Sequence, residues 1–140
     1  DSTGAIVNAQ TPFQIGSISK SFAALVVLQL ADEGRLSLDD PVSKYIHYFQ
    51  TNDKTASDQI SIRHLLNHRS GLTTLEGNRN QDTTYRGADA MERVIRDFKN
   101  AQLFAKPGAR FQYSNANYML IAQLIESVEK MPYEKVVKNR

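Results

Sequence analysis

The chain of 140 residues contains no cysteine. Disulfides, cysteine-ligated zinc and a thiol nucleophile are therefore excluded, although oxidising and reducing compartments both stay open. A membrane-length apolar run is also missing: the best stretch, Phe22 to Ala31, is interrupted by Gln29 and followed at once by Asp32 and Glu33, well short of the roughly 18 to 20 residues a span needs. Charge of one sign is nowhere massed. The 17 Lys and Arg against 15 Asp and Glu leave a formal charge of +2, and the basic residues from Arg63 to Lys99 are scattered among acids, which describes a solvated surface and not a nucleic-acid footprint. Strand signals are scarce, with Ala5 to Val7 the best candidate, and there is no internal repeat or low-complexity tract.

What is present is helical grammar. With 41% hydrophobic residues the chain is long enough for one domain with a real core. "ISKSFAALVVLQLA", Ile18 to Ala31, is apolar nearly all round and is followed by Gly34, predicting a buried central helix with a glycine stop. "SLDDPVSKYI" offers Asp39 or Asp40 as N-cap before Pro41, and "SIRHLLNHRSG" offers Ser61 as cap and Gly71 as stop, so two short helices are expected. Leu72 to Arg86 is polar and turn-prone; it is expected to be an exposed loop, of a length often used for lids. Met91, Val94, Ile95 and Phe98 follow the i, i+3, i+4, i+7 spacing of one buried helix face. Asn115 or Asn117 is expected to cap a helix over "YMLIAQLIESVEKM", and a last helix to begin near Pro132. The visible chain is predicted to be mostly α.

The chemistry concentrates in "FQIGSISKSF", Phe13 to Phe22. A serine hydroxyl needs a nearby base or a polarising environment to become a nucleophile. Ser17 and Lys20 are i and i+3, neighbours on a helix surface, and the helix N-terminus favours developing negative charge. The Ser17 amide is a candidate oxyanion donor. The plainer alternative is a capping serine beside a solvated lysine. His64 and His68, at i and i+4, offer a remote zinc reading, with His47 or a distant acid as a third ligand; no glutamate follows His64.

"FQIGSISKSFAALVVLQLADEGRLSLDDPVSKYI" resembles the nucleophile segment of the penicillin-recognising serine hydrolases: class C beta-lactamases, D-alanyl-D-alanine carboxypeptidases, penicillin-binding proteins and related esterases. "ISIRHLLNHRSGL", Ile60 to Leu72, is similar to their H-L-L-x-H-x-S-G-L turn, and "PGARFQYSNANYMLIAQLIE", Pro107 to Glu126, to their Tyr-x-Asn segment. The resemblance implies Ser17 as the acylated nucleophile and Lys20 as its proton partner. It implies Tyr113 as a second base or acid, and Asn115 as the group that orients Lys20 and a substrate amide. Without the resemblance, Tyr113 is a packed ring and Asn115 a helix cap. Arg69, where the family often has threonine, is expected to sit harmlessly at the surface, and Gly71 to serve a left-handed turn.

The family's third element, a Lys or His, a small residue and Gly on a strand, has no counterpart after Tyr113. Residues 1–140 are thus expected to be one partial domain, the helical portion of an α+β beta-lactamase/transpeptidase-like fold whose antiparallel sheet is largely absent from this chain. The start at Asp1 and the stop at Arg140 inside a helical pattern suggest a piece of a longer protein, and the fragment alone is expected to be inactive. The resemblance implies a beta-lactam, D-alanyl peptide or ester substrate and no cofactor or metal, while the scattered charge and the short apolar runs point to no nucleic acid and no membrane span. It also implies a periplasmic, envelope or secreted location, with the remainder of the domain as a partner. An inactive module binding peptidoglycan or a protein is the alternative.

Overall fold

A computed structural model describes residues 4, 6–78, 85–87 and 89–140. Seven α-helices appear among them: α1 Ser19–Asp32, α2 Lys54–Ser57, α3 Ile62–Leu66, α4 Thr74–Asn78, α5 Ala90–Asp97, α6 Asn115–Glu129 and α7 Tyr133–Asn139. The described residues contain no strand, only an isolated antiparallel bridge between Pro41 and Ser61. Of the strand expected at Ala5 to Val7, Ala5 lies outside the described residues, and Ile6 and Val7 are irregular and exposed. No described helix is long and apolar enough to cross a membrane.

The organising helix is α6, not the expected α1. Ala116, Leu120, Ile121, Leu124 and Ile125 of α6 are fully buried, and α1, α3, α4, α5 and α7 all pack on it. A helix that is apolar all round does not reveal which side faces inward. In α1 the inner face is Ala23, Val26, Val27 and Leu30, whereas Phe22, Leu25 and Leu28 stay about half exposed at 49%, 54% and 49%. With Ile18 they form an apolar stripe on the outside. Gly34 takes φ +70 just past α1, the left-handed stop that glycine adopts without a Cβ penalty. Arg35 to Glu129 at 2.9 Å fastens the C-terminal ends of α1 and α6, and Arg140 to Glu33 at 2.6 Å ties the end of α7 to that of α1.

Several local expectations change. The "SLDDPVSKYI" stretch makes only a 3-10 turn, Val42–Lys44, and Pro41 is extended at its entrance. Asp39 and Asp40 are occupied elsewhere: Asp39 takes both arms of the Arg63 guanidinium, at 2.8 and 2.9 Å. The Asp40 carboxylate accepts from the Ser37 amide, Lys44 and the Tyr45 hydroxyl at 2.9, 2.9 and 2.5 Å. Ser61 does cap α3, with His64 completing a reciprocal box: each side chain accepts the other residue's backbone N–H. That helix ends at Leu66, five residues before Gly71. Within the expected loop from Leu72 to Arg86, Thr74–Asn78 is helical and residues 79–84 lie outside those described. The helix with Met91 does bury Val94, Ile95 and Phe98, leaving Met91 at its edge.

Three donors hold the Asp40 carboxyl down at about 2, the Tyr45 hydrogen bond contributing most and the Ser37 amide and Lys44 following. A folded pKa below the unfolded value contributes stability that is full above the unfolded pKa and is lost as pH falls through the folded one. Asp40→Asn is therefore expected to destabilise the neutral protein by about 1 to 2 kcal/mol and to flatten the stability loss between pH 4 and pH 2. Urea unfolding at stepped pH measures both.

Candidate active site

Ser17 lies in the 3-10 turn Gly16–Ile18 that runs directly into α1, so Lys20, one turn on, faces back toward it. The Lys20 Nζ donates to Ser17 Oγ at 3.1 Å. On the other side of the serine stands the Tyr113 hydroxyl, 2.8 Å away and 96 residues distant in sequence. Tyr113 Oη also makes a long contact, 3.4 Å, to Asn115 Oδ1. With Tyr113 ionised, the Ser17 hydroxyl donates to its oxygen, which is the direction proton removal requires. Lys20 Nζ also sits over the Tyr113 ring, 5.2 Å from its centroid, within cation–π range. Hydrogen bonding from Lys20, then from Ser17, holds the Tyr113 phenol below its usual range, with the lysine charge in support and burial pulling the other way.

Asn115 joins the group less directly than expected. Its Nδ2 donates to Asn78 Oδ1 at 3.1 Å, tying the site to the end of α4. It is the first residue of α6 and not the cap: Ser114, at φ −150 and ψ 131, accepts the Ala116 amide. Asn117, the other expected cap, is fully buried. Its Oδ1 accepts the Ser70 hydroxyl at 2.5 Å.

Tyr113 is held in place by the segment that follows α3. The amide of Gly108 bonds the Arg69 carbonyl at 2.7 Å, that of Phe104 the Gly71 carbonyl at 3.0 Å, and that of Gln112 the His68 carbonyl at 2.8 Å. Thr74 Oγ1 donates to the Tyr113 carbonyl at 2.5 Å, and Ser114 Oγ to the Thr73 carbonyl at 2.6 Å. Gly71 turns at φ +90, where a Cβ would run into the Ala105 carbonyl oxygen. Arg69 stays exposed, its guanidinium donating to the Gly108 carbonyl at 3.1 Å.

The two helix histidines do not form a shared metal face. His68 lies beyond α3 with φ +55, which removes the i, i+4 geometry the zinc reading needed. Each Nδ1 accepts a backbone amide instead, Ser61 for His64 at 3.3 Å and Ser114 for His68 at 3.2 Å. The role of Gly77 was invisible in sequence: a Cβ there would stand 2.6 Å from the Asn115 nitrogen and 2.7 Å from that of Ala116. Its absence lets α4 lie against the start of α6.

A cleft of about 400 Å³ adjoins the cluster. Ser19, Lys20 and Asn115 line it together with Met91, Tyr118 and Tyr133.

A family model described as "Beta-lactamase" matches residues 1–140. Among relatives, the chain is 36% identical over 129 residues to Protein flp of Staphylococcus aureus (strain MRSA252), an alignment covering 92% of this chain and 26% of that protein. A D-stereospecific amidohydrolase from Streptomyces sp. superposes with a TM-score of 0.76 at 32% identity, covering 91% of this chain and 40% of the other. The octameric penicillin-binding protein homologue from Pyrococcus abyssi gives 0.73 at 35%, covering 91% and 30%. The chain thus spans about a quarter of the length of the first of these relatives and a minority of both structures.

Gly77→Ala separates packing from propensity. Helix propensity alone favours alanine by about 1 kcal/mol, but forced overpacking costs roughly 1 to 3 kcal/mol. Net destabilisation in urea unfolding is expected, with Asn115 and Ala116 amide shifts moving in NMR spectra.

Proposed function

The chain belongs to the Beta-lactamase family, and from that premise we propose that it is the nucleophile-bearing part of a serine hydrolase that works through an acyl-enzyme on Ser17. One observation carries the reading: Ser17 Oγ is within hydrogen-bond distance of both Lys20 Nζ and Tyr113 Oη, at 3.1 and 2.8 Å. A nucleophile bracketed by two proton carriers is what acyl transfer by serine requires.

In the first step the Lys20–Tyr113 pair, holding one proton short of its ammonium–phenol form, takes up the Ser17 proton as Oγ bonds to the substrate carbonyl carbon. The two groups share the proton, so basicity belongs to the pair. Charge on the carbonyl oxygen is met by the Ser17 amide at the mouth of the helix. Tyr113 then delivers the proton to the leaving nitrogen or oxygen as its bond to the carbonyl carbon breaks, leaving an ester on Ser17. Water, deprotonated by the same pair, attacks that ester; the acid departs and the proton returns to Ser17. Asn115 is placed to receive a substrate amide beside this centre, and Asn78 orients it. No step calls for a metal or cofactor.

Residues 1–140 constitute the helical portion of the domain. The outward stripe of Ile18, Phe22, Leu25 and Leu28 is the face on which the family's antiparallel sheet packs, since apolar surface of this size calls for a cover. That sheet also brings the third motif with the second oxyanion donor. Loss of one such donor costs about 100- to 1,000-fold in rate, so this chain alone acylates slowly and turns over little. Substrates are beta-lactams, D-alanyl peptides or simple esters, met in the cell envelope or outside the cell. Ser17, Lys20, Tyr113 and Asn115 retained together speak for an active parent over an inactive binding module.

Intact-mass spectrometry after incubation with a beta-lactam and, separately, a fluorophosphonate is expected to show a single adduct that maps to Ser17 and vanishes in Ser17→Ala. The preferred probe sorts lactam from ester chemistry. Labelling that persists in Ser17→Ala, or that lands on another serine, would contradict the reading.

A further inference from the structure

His68 has no part in the acylation chemistry above, yet it contacts Tyr113 and the residues on either side of it. Its carbonyl accepts the Gln112 amide at 2.8 Å and its ring Nδ1 the Ser114 amide at 3.2 Å, so the residues on both sides of Tyr113 hang from it. The ring stacks against Tyr113 with centroids 4.5 Å apart and planes tilted by 33°. Phe111 meets it edge-on at 6.0 Å, and Tyr118 lies at 5.3 Å. Holding this position costs backbone strain, because φ is +55 in a residue that is not glycine.

The tautomer follows from the surrounding donors. Asn117 Nδ2 stands 3.1 Å from His68 Nδ1, and its orientation is fixed from the other end, where Asn117 Oδ1 accepts the Ser70 hydroxyl. The Ser70 oxygen in turn accepts the Leu72 amide at 3.1 Å. Nδ1 therefore faces two N–H donors and must present its lone pair, leaving the ring proton on Nε2. Ser70, Asn117 and Ser114 are all fully buried, so a misplaced proton would leave a buried donor unmatched. Burial, followed by the Lys20 charge, also holds the imidazole below its ordinary value.

We infer that His68, as the neutral Nε2–H tautomer, is the positioning residue that sets the Tyr113 hydroxyl against Ser17, through its ring and through the backbone on either side of Tyr113. Its catalytic meaning rests on the hydrolase reading above; its structural content does not. Asparagine tolerates the left-handed backbone and keeps a short acceptor, whereas alanine removes both ring and acceptor.

The test labels tyrosine at Cζ with carbon-13, assigns Tyr113 by Tyr113→Phe, and titrates it in the wild-type chain, His68→Asn and His68→Ala. Tyr113 is expected to ionise below the ordinary tyrosine range in the wild type and to move up toward it in His68→Ala, with His68→Asn between. Fluorophosphonate labelling of Ser17 is expected to slow about 10- to 100-fold in His68→Ala, the scale of a misplaced reacting group. An unchanged Tyr113 titration in folded His68→Ala overturns the inference. Should that variant not fold, long-range proton–nitrogen-15 spectra of the wild type decide: an Nδ1–H tautomer or a protonated His68 at pH 7 overturns it. A moved Tyr113 with Ser17 never labelled would sink the hydrolase reading and leave His68 as the positioning residue.

Discussion

The fully buried hydroxyl of Ser70, bonded to the fully buried amide of Asn117, joins the turn after α3 to the first turn of α6. A buried polar pair of this kind is expensive to break, since each partner left alone keeps its desolvation cost. It therefore fixes the register in which residues 68–74 and 104–114 pair, and that register decides where Tyr113 stands. The Ser17–Lys20 contact is a local matter, because the two face each other by helical spacing alone. The Tyr113 hydroxyl is not local. It arrives from 96 residues away, and its accuracy depends on the buried polar seam and on the stacking of His68.

Helices α3 and α4 serve this junction. Glycine at position 77 allows α4 to approach the α6 N-terminus, and Asn78 then reaches Asn115. The bridge from Pro41 to Ser61, continued by the bonds from Val42 to the Ile60 carbonyl and from Arg63 to the Leu38 carbonyl, places α3 so that its exit leads into the seam. On the opposite side α1 buries only one face in the core. Its outer stripe accords with a chain that spans a minority of its relatives' length.

The sequence disclosed the helical class and most helices because their apolar spacing is a local property: Val94, Ile95 and Phe98 are buried as their spacing predicts. It disclosed the Ser17–Lys20 pair for the same reason. Caps were harder. Ser114, Asn115 and Asn117 are all good N-caps, and the choice fell to Ser114 because tertiary bonds already claim the Asn117 amide. Thr74–Asn78 is too short to show a period, and in α1 an unbroken apolar surface hid which side faces out. The part of His68 was the least legible, for its ring partners Ser114 and Asn117 lie 46 and 49 residues on, and no spacing rule reaches that far. At the level of sequence His68 offered only the remote metal-ligand reading.

On the proposed reading, the folded helical unit by itself assembles Ser17, Lys20 and Tyr113 into a reactive cluster. The most direct measurement is the rate of Ser17 phosphonylation by a fluorophosphonate across a urea gradient, compared in the same samples with helicity by circular dichroism. Ser17 is expected to react faster than every other serine in the folded chain and to lose that advantage at the midpoint where helicity is lost. Ser17 labelling no faster than that of its neighbours, or unaffected by unfolding, would contradict it.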